Sequence, residues 1–163
     1  MSLRDDVVAV LEGVLADNEL DWEAGVNDGE YVVTLPGEKK LKTVTSLTVG
    51  ENDLITAAFV IRQPDENHLD FYKFLLRRNL KLPGLAYSID ASGDVYVGGR
   101  VPLAAVDETY LDKLLGAVLR AADEPFNDLL VLGFLTSMKK EWEWRISRGE
   151  STRNLEAFKH LLA

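Results

Sequence analysis

The sequence predicts an α+β fold in which helices pack on an antiparallel sheet of about six strands. The first observation is the order of the hydrophobic patterns: one helical period, four strand-like segments, a helical period, two strand-like segments, then helices. Strands that follow one another through short turns pair antiparallel, which disfavours a doubly wound parallel sheet. The second observation is size, since 163 residues, 47% of them hydrophobic, can bury one sizeable core. We therefore expect a single domain, residues 1–163, with a helical C-terminal region from about residue 125.

The first elements are predicted to be one helix and a four-stranded meander. Apolar residues recur every three or four positions from Leu3 to Leu15, which is typical of an amphipathic helix and carries it to about Asn18. The Asp28-Gly29 pair between apolar segments indicates a hairpin turn. Alternating patterns rich in β-branched residues then predict four strands. We expect them at residues 22–26, 31–35, 41–49 and 54–61.

A second helix and a second hairpin are predicted next. Pro64 ends the fourth strand, and Asp65 or Asn67 is expected to cap the helix that follows it. Two short strands, residues 85–90 and 94–101, flank a glycine-containing loop, and we expect this pair to extend the sheet. The apolar stripe of the helix is predicted to comprise Leu69, Tyr72, Leu75, Leu76 and Leu80.

Three helices are predicted to complete the chain. Asp107 is expected to cap the first of them. Pro125 suits the first turn of the next, which we expect to run to about Ser147. Ser151 is expected to cap a last, short helix. The apolar residues of that helix are Leu155, Phe158, Leu161 and Leu162.

The charge of the chain argues against two classes of partner. The formal net charge is −9 and the isoelectric point is about 4.7, so the molecule as a whole repels phosphate backbones and anionic lipid. The N-terminus carries Asp5 and Asp6 where a signal peptide would carry basic residues. We therefore expect a cytoplasmic protein that binds neither nucleic acid nor membrane. The acidity is uneven, because residues 1–70 hold 15 of the 27 acidic side chains and only 5 of the 18 basic ones.

Few residues have the spacing that catalysis or cofactor binding requires. The chain has no cysteine, and it contains neither the HExxH pattern of zinc proteases nor a GxSxG nucleophile elbow. The glycine-rich residues 93–100 lack the Lys-Ser/Thr pair of a phosphate loop and are more typical of a strand with a glycine bulge. We predict no catalytic residue, no cofactor and no metal, although a site built from paired carboxylates stays open as an alternative.

One cluster of potential metal ligands lies near the start of the second helix. Asp65, Glu66, His68 and Asp70 follow one another closely there. Acidic side chains at a helix N-terminus favour the unpaired N–H groups and the positive end of the dipole, so the cluster indicates capping rather than ligation.

A group of cations and aromatic residues near the C-terminus is the candidate partner-binding site. Lys140, Trp144, Arg145 and Arg148 mix the two residue types, a composition that can bind an acidic peptide or single-stranded nucleic acid. On a helix, Trp144 lies one turn from Lys140 and from Arg148, so cations can stack on the indole. The alternative is that this pattern serves packing alone. In either case the inward line is predicted to be Leu135, Met138, Trp142 and Ile146.

The second half of the sequence resembles the YbjN-type family of small bacterial proteins, particularly its actinobacterial form. The resemblance rests on residues 67–103, NHLDFYKFLLRRNLKLPGLAYSIDASGDVYVGGRVPL, and is strengthened by residues 107–134 and 144–154. It implies an α+β fold like that of type III secretion chaperones and a role in sensory transduction or stress regulation. It also implies a homodimer, because the related chaperones are small acidic homodimers, and it supplies no catalytic residues.

Taken with the lack of catalytic motifs, these features indicate a non-enzymatic regulator that binds a protein partner. We expect it to be homodimeric and to recognise a polypeptide through an exposed sheet edge or an apolar groove. The alternatives are a secretion-type chaperone for a client protein, and a small-ligand domain or an enzyme that uses carboxylates. Binding of DNA by the basic C-terminal segment is a further, weaker hypothesis.

Overall fold

The fold class and the order of elements are those the sequence predicts. A computed structural model describes residues 2–163. Its helices are α1 (Leu3–Asp17), α2 (His68–Asn79), α3 (Glu108–Asp123), α4 (Phe126–Arg148) and α5 (Lys159–Leu162). Its strands are β1 (Asp21–Ala24), β2 (Glu30–Pro36), β3 (Lys42–Val49), β4 (Asp53–Ile61), β5 (Ala86–Ile89) and β6 (Val95–Pro102). Two 3₁₀ segments, Leu103–Ala105 and Arg153–Phe158, precede α3 and α5.

All six strands form one antiparallel sheet in the order β1-β2-β3-β4-β6-β5. The first four strands are a meander, and the β5–β6 hairpin joins it through β6, so β1 and β5 are the two edges. Side chains alternate between two faces, as the buried Thr43, Thr45, Leu47 and Val49 of β3 show. The opposite face stays half-buried or exposed, as at Val44.

The main core lies between the inner face of the sheet and the helices. Helices α1 and α3 pack against one another and both contact the sheet. Their apolar positions recur every three or four residues, so each helix turns one continuous stripe inward. The fully or nearly fully buried members of the two stripes are Val7, Leu11, Val14, Leu15, Leu111, Val118 and Ala122.

Side-chain caps fix the ends of these two helices. Ser2 and Asp5 form a reciprocal capping box at the start of α1. The Asp107 carboxylate accepts the Tyr110 N–H at 2.8 Å, which confirms the predicted cap of α3. At the other end of α3, one oxygen of Asp123 accepts three backbone N–H groups from residues 38–40 of the β2–β3 loop, at 2.9 to 3.0 Å. This carboxylate attaches the loop to the helix.

The predicted apolar stripe of α2 is wrong at three of its five positions. The helix buries Phe71 and Leu75, whereas Leu69, Leu76 and Leu80 are exposed, Leu80 to 90%. Leucine spacing alone suggested a different inward face. The phase of the helix is set instead by the aromatic ring of Phe71, the largest fully buried side chain in the described chain.

The acidic cluster before α2 does not cap that helix. Asn67 occupies the N-cap position in a left-handed conformation without a capping hydrogen bond, and its amide donates to the Leu132 carbonyl at 3.3 Å. Glu66 accepts the N–H of Thr136 at 2.8 Å and its hydroxyl at 2.9 Å. The cluster therefore ties the loop before α2 to α4, a long-range role that local spacing does not reveal.

Helix α4 is two helical pieces joined at a kink rather than one continuous helix. Phe134 has φ −138° and ψ 15°, which lies outside the helical region. The kink follows Gly133, whose carbonyl accepts the backbone N–H groups of Asp65 and Glu66. Thr136, held by Glu66, lies in the first turn after the kink, so Glu66 caps the second piece.

Two C-terminal predictions are wrong. Ile146 was expected to face inward but is 58% exposed, because α4 changes direction at Phe134 and its outer piece meets only a short C-terminal segment. Ser151 does not cap a helix that carries Leu155 and Phe158; residues 153–158 form a 3₁₀ segment, and the α-helix proper begins at Lys159. The remaining boundaries differ by one or two residues, which is the usual uncertainty at element ends.

Residues 95–100 of the glycine-rich segment lie in β6, as predicted, whereas Gly93 and Asp94 belong to the hairpin loop, and the irregularity is not at the glycines. It lies in β4, where the register against β6 shifts between Phe59 and Ile61. Gly98 instead faces the neighbouring strand so closely that a Cβ atom there would lie 2.1 Å from the Thr56 carbonyl oxygen.

We predict that Gly133→Ala destabilises the protein. A methyl group on Gly133 would lie 2.8 Å from the Pro64 Cβ and 2.9 Å from the Phe71 ring, closer than van der Waals contact. The expected loss in the free energy of unfolding is about 1–3 kcal/mol, since overpacking outweighs the better helix propensity of alanine. Chemical denaturation measures it. Gly13→Ala is the matched control, because nothing lies within 4 Å of its added methyl group and it should be neutral or stabilising.

Candidate protein-binding surfaces

The outer piece of α4 and the C-terminal segment enclose a small second core. Its buried members are Met138, Trp142, Leu155 and Phe158. Trp142 and Met138 therefore face inward, as the sequence predicts. This cluster holds the C-terminal segment against α4 and places one wall of the groove described below.

Of the predicted partner-binding residues, Arg145 forms contacts within the molecule, whereas Lys140, Trp144 and Arg148 are exposed. The Arg145 side chain is engaged within the molecule, with Nε on Glu141 and Nη1 donating to the Ser151 carbonyl at 2.9 Å. Trp144 is 48% exposed, and the guanidinium of Arg148 lies 5.0 Å from its ring centre. Lys140 is also exposed. The predicted stacking of Arg148 on Trp144 is thus present, while the binding of a partner by Lys140, Trp144, Arg145 and Arg148 stays a prediction.

A larger apolar groove lies between the end of β4 and α4, and we call it the β4–α4 groove. Its volume is about 530 Å³, within the usual range of ligand sites. Polar groups stand at its rim, among them Lys40, Arg62 and Glu141. Sequence reasoning missed this groove because its walls come from four separated segments. The apolar lining residues are Phe59, Phe126, Leu130, Phe134, Met138 and Leu155.

Lys40 closes one end of the β4–α4 groove. Its ammonium donates to the carbonyl oxygens of Phe59 at 2.6 Å and Val60 at 2.7 Å. These lie where the register shift takes Val60 out of the β4–β6 ladder. The ammonium also lies 5.1 Å from the Phe59 ring centre and 5.8 Å from that of Phe126. Burial lowers the pKa of Lys40 to about 8, opposed by the charge of Asp123.

Arg62 stands on the opposite rim of the groove. Its guanidinium lies 4.3 Å from the Phe134 ring centre and forms a bidentate salt bridge with Asp65, with N–O distances of 2.8 and 3.2 Å. Hydrogen bonds from Arg62 and then from the Ser137 hydroxyl lower the pKa of Asp65 to about 2. The loop before α2 therefore binds the kink of α4 through the Asp65 carboxylate as well as through its backbone.

A second apolar surface combines α2 with the edge of the sheet, and we call it the leucine face. It comprises Leu69 and Leu76 of α2, Leu80 directly after that helix, and Ile89 of β5, all of them exposed. Leu76 and Ile89 line the same depression of about 170 Å³. Strand β5 pairs with no strand other than β6, and on its other side the Asn79 side chain accepts the Tyr87 N–H at 2.6 Å and donates to the Tyr87 carbonyl at 3.4 Å. Apolar side chains thus adjoin a sheet edge that Asn79 partly covers.

The described residues contain little that resembles a reactive centre. Among residues 2–163 there is no group of three or more His, Asp or Glu side chains placed to hold a metal ion. His68 lies 6.3 Å from the Tyr72 ring centre, and His160 is exposed on α5. Within the same residues, no helix combines the length and apolar character that crossing a bilayer needs.

Comparison with family models identifies the family. Residues 8–130 match the YbjN model, described as "Putative bacterial sensory transduction regulator". An uncharacterized protein of Mycobacterium tuberculosis is 55% identical over 159 residues, 95% of this chain and 87% of the relative. One of Mycobacterium leprae is 49% identical over 158 residues, 94% of this chain and 86% of the relative. The chain belongs to the YbjN family, which confirms the resemblance found in the sequence.

Solved structures show the same fold. YbjN of E. coli aligns with a TM-score of 0.53 at 12% identity, over 72% of this chain and 89% of that one. The ExsC–ExsE complex gives 0.56 at 16% identity, over 79% and 97%. The Yersinia pestis type III secretion chaperone SycH, in complex with a fragment of YscM2, gives 0.50 at 19%, over 71% and 96%. The fold is that of type III secretion chaperones, as the resemblance implied.

We predict that Lys40 makes the stability of the protein depend on pH. Its pKa is about 8 when folded and 10.5 in its unperturbed state, so between these values the unfolded chain binds more protons. The free energy of unfolding should therefore rise as the pH increases from 8 towards 10. Tyr31, whose pKa is raised to about 12, acts in the opposite direction only above about pH 10.

Denaturation at several pH values tests this prediction with two matched variants. In Lys40→Arg the side chain stays charged throughout, and in Lys40→Met nothing titrates, so both should lack the rise. Curves that run parallel for wild type and Lys40→Arg would contradict it.

Proposed function

We propose that this protein is a non-enzymatic, cytoplasmic regulator of the YbjN type that acts as a homodimer and binds a polypeptide. Residues 1–163 would form one domain, since α4 contributes to both cores. The observation that carries the proposal is the leucine face beside the edge strand β5. Large apolar side chains that cluster on the surface of a soluble domain mark interaction sites.

The leucine face supports a symmetric dimer. Two copies related by a two-fold axis would pack leucine face against leucine face. Leu76 and Leu80 of each copy would then lie against their counterparts in the other. Their burial would supply the hydrophobic free energy of association.

The β4–α4 groove supports binding of a polypeptide. Its floor is apolar and aromatic, and its rim carries two cations and one carboxylate, so it favours an apolar side chain flanked by polar groups. Two of the structural neighbours, SycH and the ExsC–ExsE complex, were solved together with protein partners. The protein would act by holding the partner in this groove, with no covalent change in the partner.

A secretion-type chaperone is the second candidate function. The observation in its favour is that the fold similarity spans 96% of SycH and 97% of the ExsC–ExsE chain. A client encoded next to this protein, insoluble alone and soluble on co-expression, would favour the chaperone over the regulator.

We predict that Leu76→Glu combined with Leu80→Glu converts the dimer to a monomer. Each carboxylate would lie in an apolar interface opposite its own copy, where burial and like-charge repulsion disfavour association. Light scattering coupled to size-exclusion chromatography gives the mass directly. The exposed fractions of the two leucines, 65% and 90%, mean that the monomer should stay folded.

Leu41→Glu is the control for this experiment. Leu41 is 85% exposed but lies in the β2–β3 loop, away from α2 and β5, so its variant should stay dimeric. A wild-type protein that is monomeric at micromolar concentration would refute the dimer.

We predict that Phe59→Glu abolishes polypeptide binding in the β4–α4 groove. The substitution places a carboxylate at the aromatic end of the groove, beside Lys40. Proteins that co-purify with the wild type should be lost, and those that co-purify with Val26→Glu should be retained, because Val26 is exposed in the β1–β2 turn. Quantitative mass spectrometry compares the three sets, with circular dichroism to confirm folding. The same proteins recovered from all three would contradict this use of the groove.

A further inference from the structure

Helix α2 has a third face that neither the core nor the leucine face uses. At 3.6 residues per turn, Phe71 and Leu75 point into the core, and the exposed leucines lie on one flank. Lys73 and Arg77 of α2, and Lys81 two residues beyond its end, recur every four residues and form a row on the other flank, towards α4. The helix thus separates an apolar surface from a basic one.

The basic row forms one wall of a groove between α2 and α4, which we call the α2 basic groove. Its volume is about 540 Å³, and four of its seven lining residues are cations: Lys73, Arg77, Arg78 and Lys81. Phe74 and Leu132 form its apolar floor, and Asp70 is the one carboxylate of the lining. The groove is therefore amphipathic, with charge along one wall and apolar contact below.

The groove continues beyond its basic part. Phe74 and Leu132 also line an adjoining depression of about 510 Å³. There Val131 of α4, Phe158 of the 3₁₀ segment and Leu161 of α5 extend the apolar floor, and Asp128 is the one carboxylate of this part of the lining. An elongated floor of this kind suits a segment of chain better than a compact small molecule.

The charge of this wall is poorly neutralised by the rest of the described chain. Arg78 alone of the four cations forms an ion pair there, with Glu124 at 3.8 Å. Lys73, Arg77 and Lys81 are exposed and form no ion pair with residues 2–163. Residues 71–89 contain these four cations and no acidic residue, in a molecule whose net charge is −9. The groove is a local positive site on an acidic surface.

We propose that the α2 basic groove binds an acidic amphipathic helix of another polypeptide. Residues four apart on a helix are separated by about 6 Å, so carboxylates at positions i, i+4 and i+8 of the partner match the row of cations. Leucine-type side chains beside them would pack on Phe74 and Leu132. Charge complementarity selects the partner, and the apolar floor holds it.

Two other occupants fit less well. A nucleic acid binds chiefly through its phosphate backbone, at one charge per about 1.7 Å of duplex, and gains nothing from an aliphatic floor such as Leu132. A second copy could also place its acidic N-terminal half in the groove. Because the groove of that second copy would stay free to bind a third, this head-to-tail contact would build open chains rather than a closed dimer. A partner of different sequence meets neither difficulty.

Binding of a designed peptide tests the proposal. The probe is a fluorescent helix of about 18 residues, five turns, with Glu at i, i+4 and i+8 and Leu on the adjoining face. The control peptide has Gln in place of the three Glu residues. Fluorescence anisotropy is measured with wild type, with Lys73→Glu/Arg77→Glu, and with Lys42→Glu/Lys113→Glu, which makes the same change of charge at exposed sites outside the groove.

The expected result is saturable binding of the Glu peptide that weakens about tenfold or more in Lys73→Glu/Arg77→Glu and in high salt. The Lys42→Glu/Lys113→Glu protein should bind like wild type, and the Gln peptide should bind weakly to all three. Equal binding of both peptides, or equal loss in both double variants, would overturn the proposal. Displacement of the Glu peptide by a single-stranded oligonucleotide, or peptide-reversible polymers of the protein alone, would assign the groove to the other occupants and overturn it equally.

This inference is independent of the proposed dimer and of the β4–α4 groove. The leucine face lies on the other flank of α2, so Leu76→Ser/Leu80→Ser, which removes apolar surface from that face and leaves the charge beside the groove unchanged, should bind the Glu peptide like wild type. A variant that loses the dimer and keeps peptide binding, or one that keeps the dimer and loses peptide binding, distinguishes the proposed dimer from the proposed groove.

Discussion

The close contact between Gly133 and Phe71 determines how the surfaces of this protein are arranged. Because α4 carries no side chain at residue 133, its backbone approaches α2 closely enough for the Phe71 ring to fill the space between them. With Phe71 directed inward, the helical period sends the leucines to one flank of α2 and the lysine–arginine row to the other. A change in this one contact would alter the orientation of both surfaces at once.

The same junction redirects α4 and so creates the β4–α4 groove. The Gly133 carbonyl accepts two N–H groups from the loop before α2, and Glu66 restarts the helix beyond Phe134. The outer piece of α4 therefore leaves the main core and builds a second one with the C-terminal segment. Phe134, at this bend, and Leu155, in the C-terminal segment, thereby come to line one groove.

Local patterns were sufficient to predict the strands and the N-cap of α3, because each depends on residues close in sequence. Asp28-Gly29 and the alternation of β3 are examples. Prediction failed where residues far apart in the sequence determine which way a side chain points. The inward face of α2 depends on a glycine 62 positions further along, and the role of Glu66 depends on Thr136.

The candidate surfaces follow the same division. Trp144 and Arg148 lie one turn apart, so their contact could be predicted. The β4–α4 groove could not, since Lys40, Phe59, Phe134 and Leu155 meet only through the tertiary fold. The α2 basic groove was half visible: the spacing of its cations can be read from the sequence, but the apolar floor supplied by Leu132 cannot.

The two edges of the sheet differ in a way that limits how copies of the protein can stack. Strand β1 has four residues, two of them the acidic Asp21 and Glu23, so a second β1 approaching it meets like charge. Strand β5 carries no charge but is also only four residues long. Both edges therefore disfavour continued growth of the sheet, β1 by like charge and β5 by its short length and by Asn79, which already binds the N–H and carbonyl of Tyr87. Edges of this kind are poor templates for the stacking of strands into fibrils.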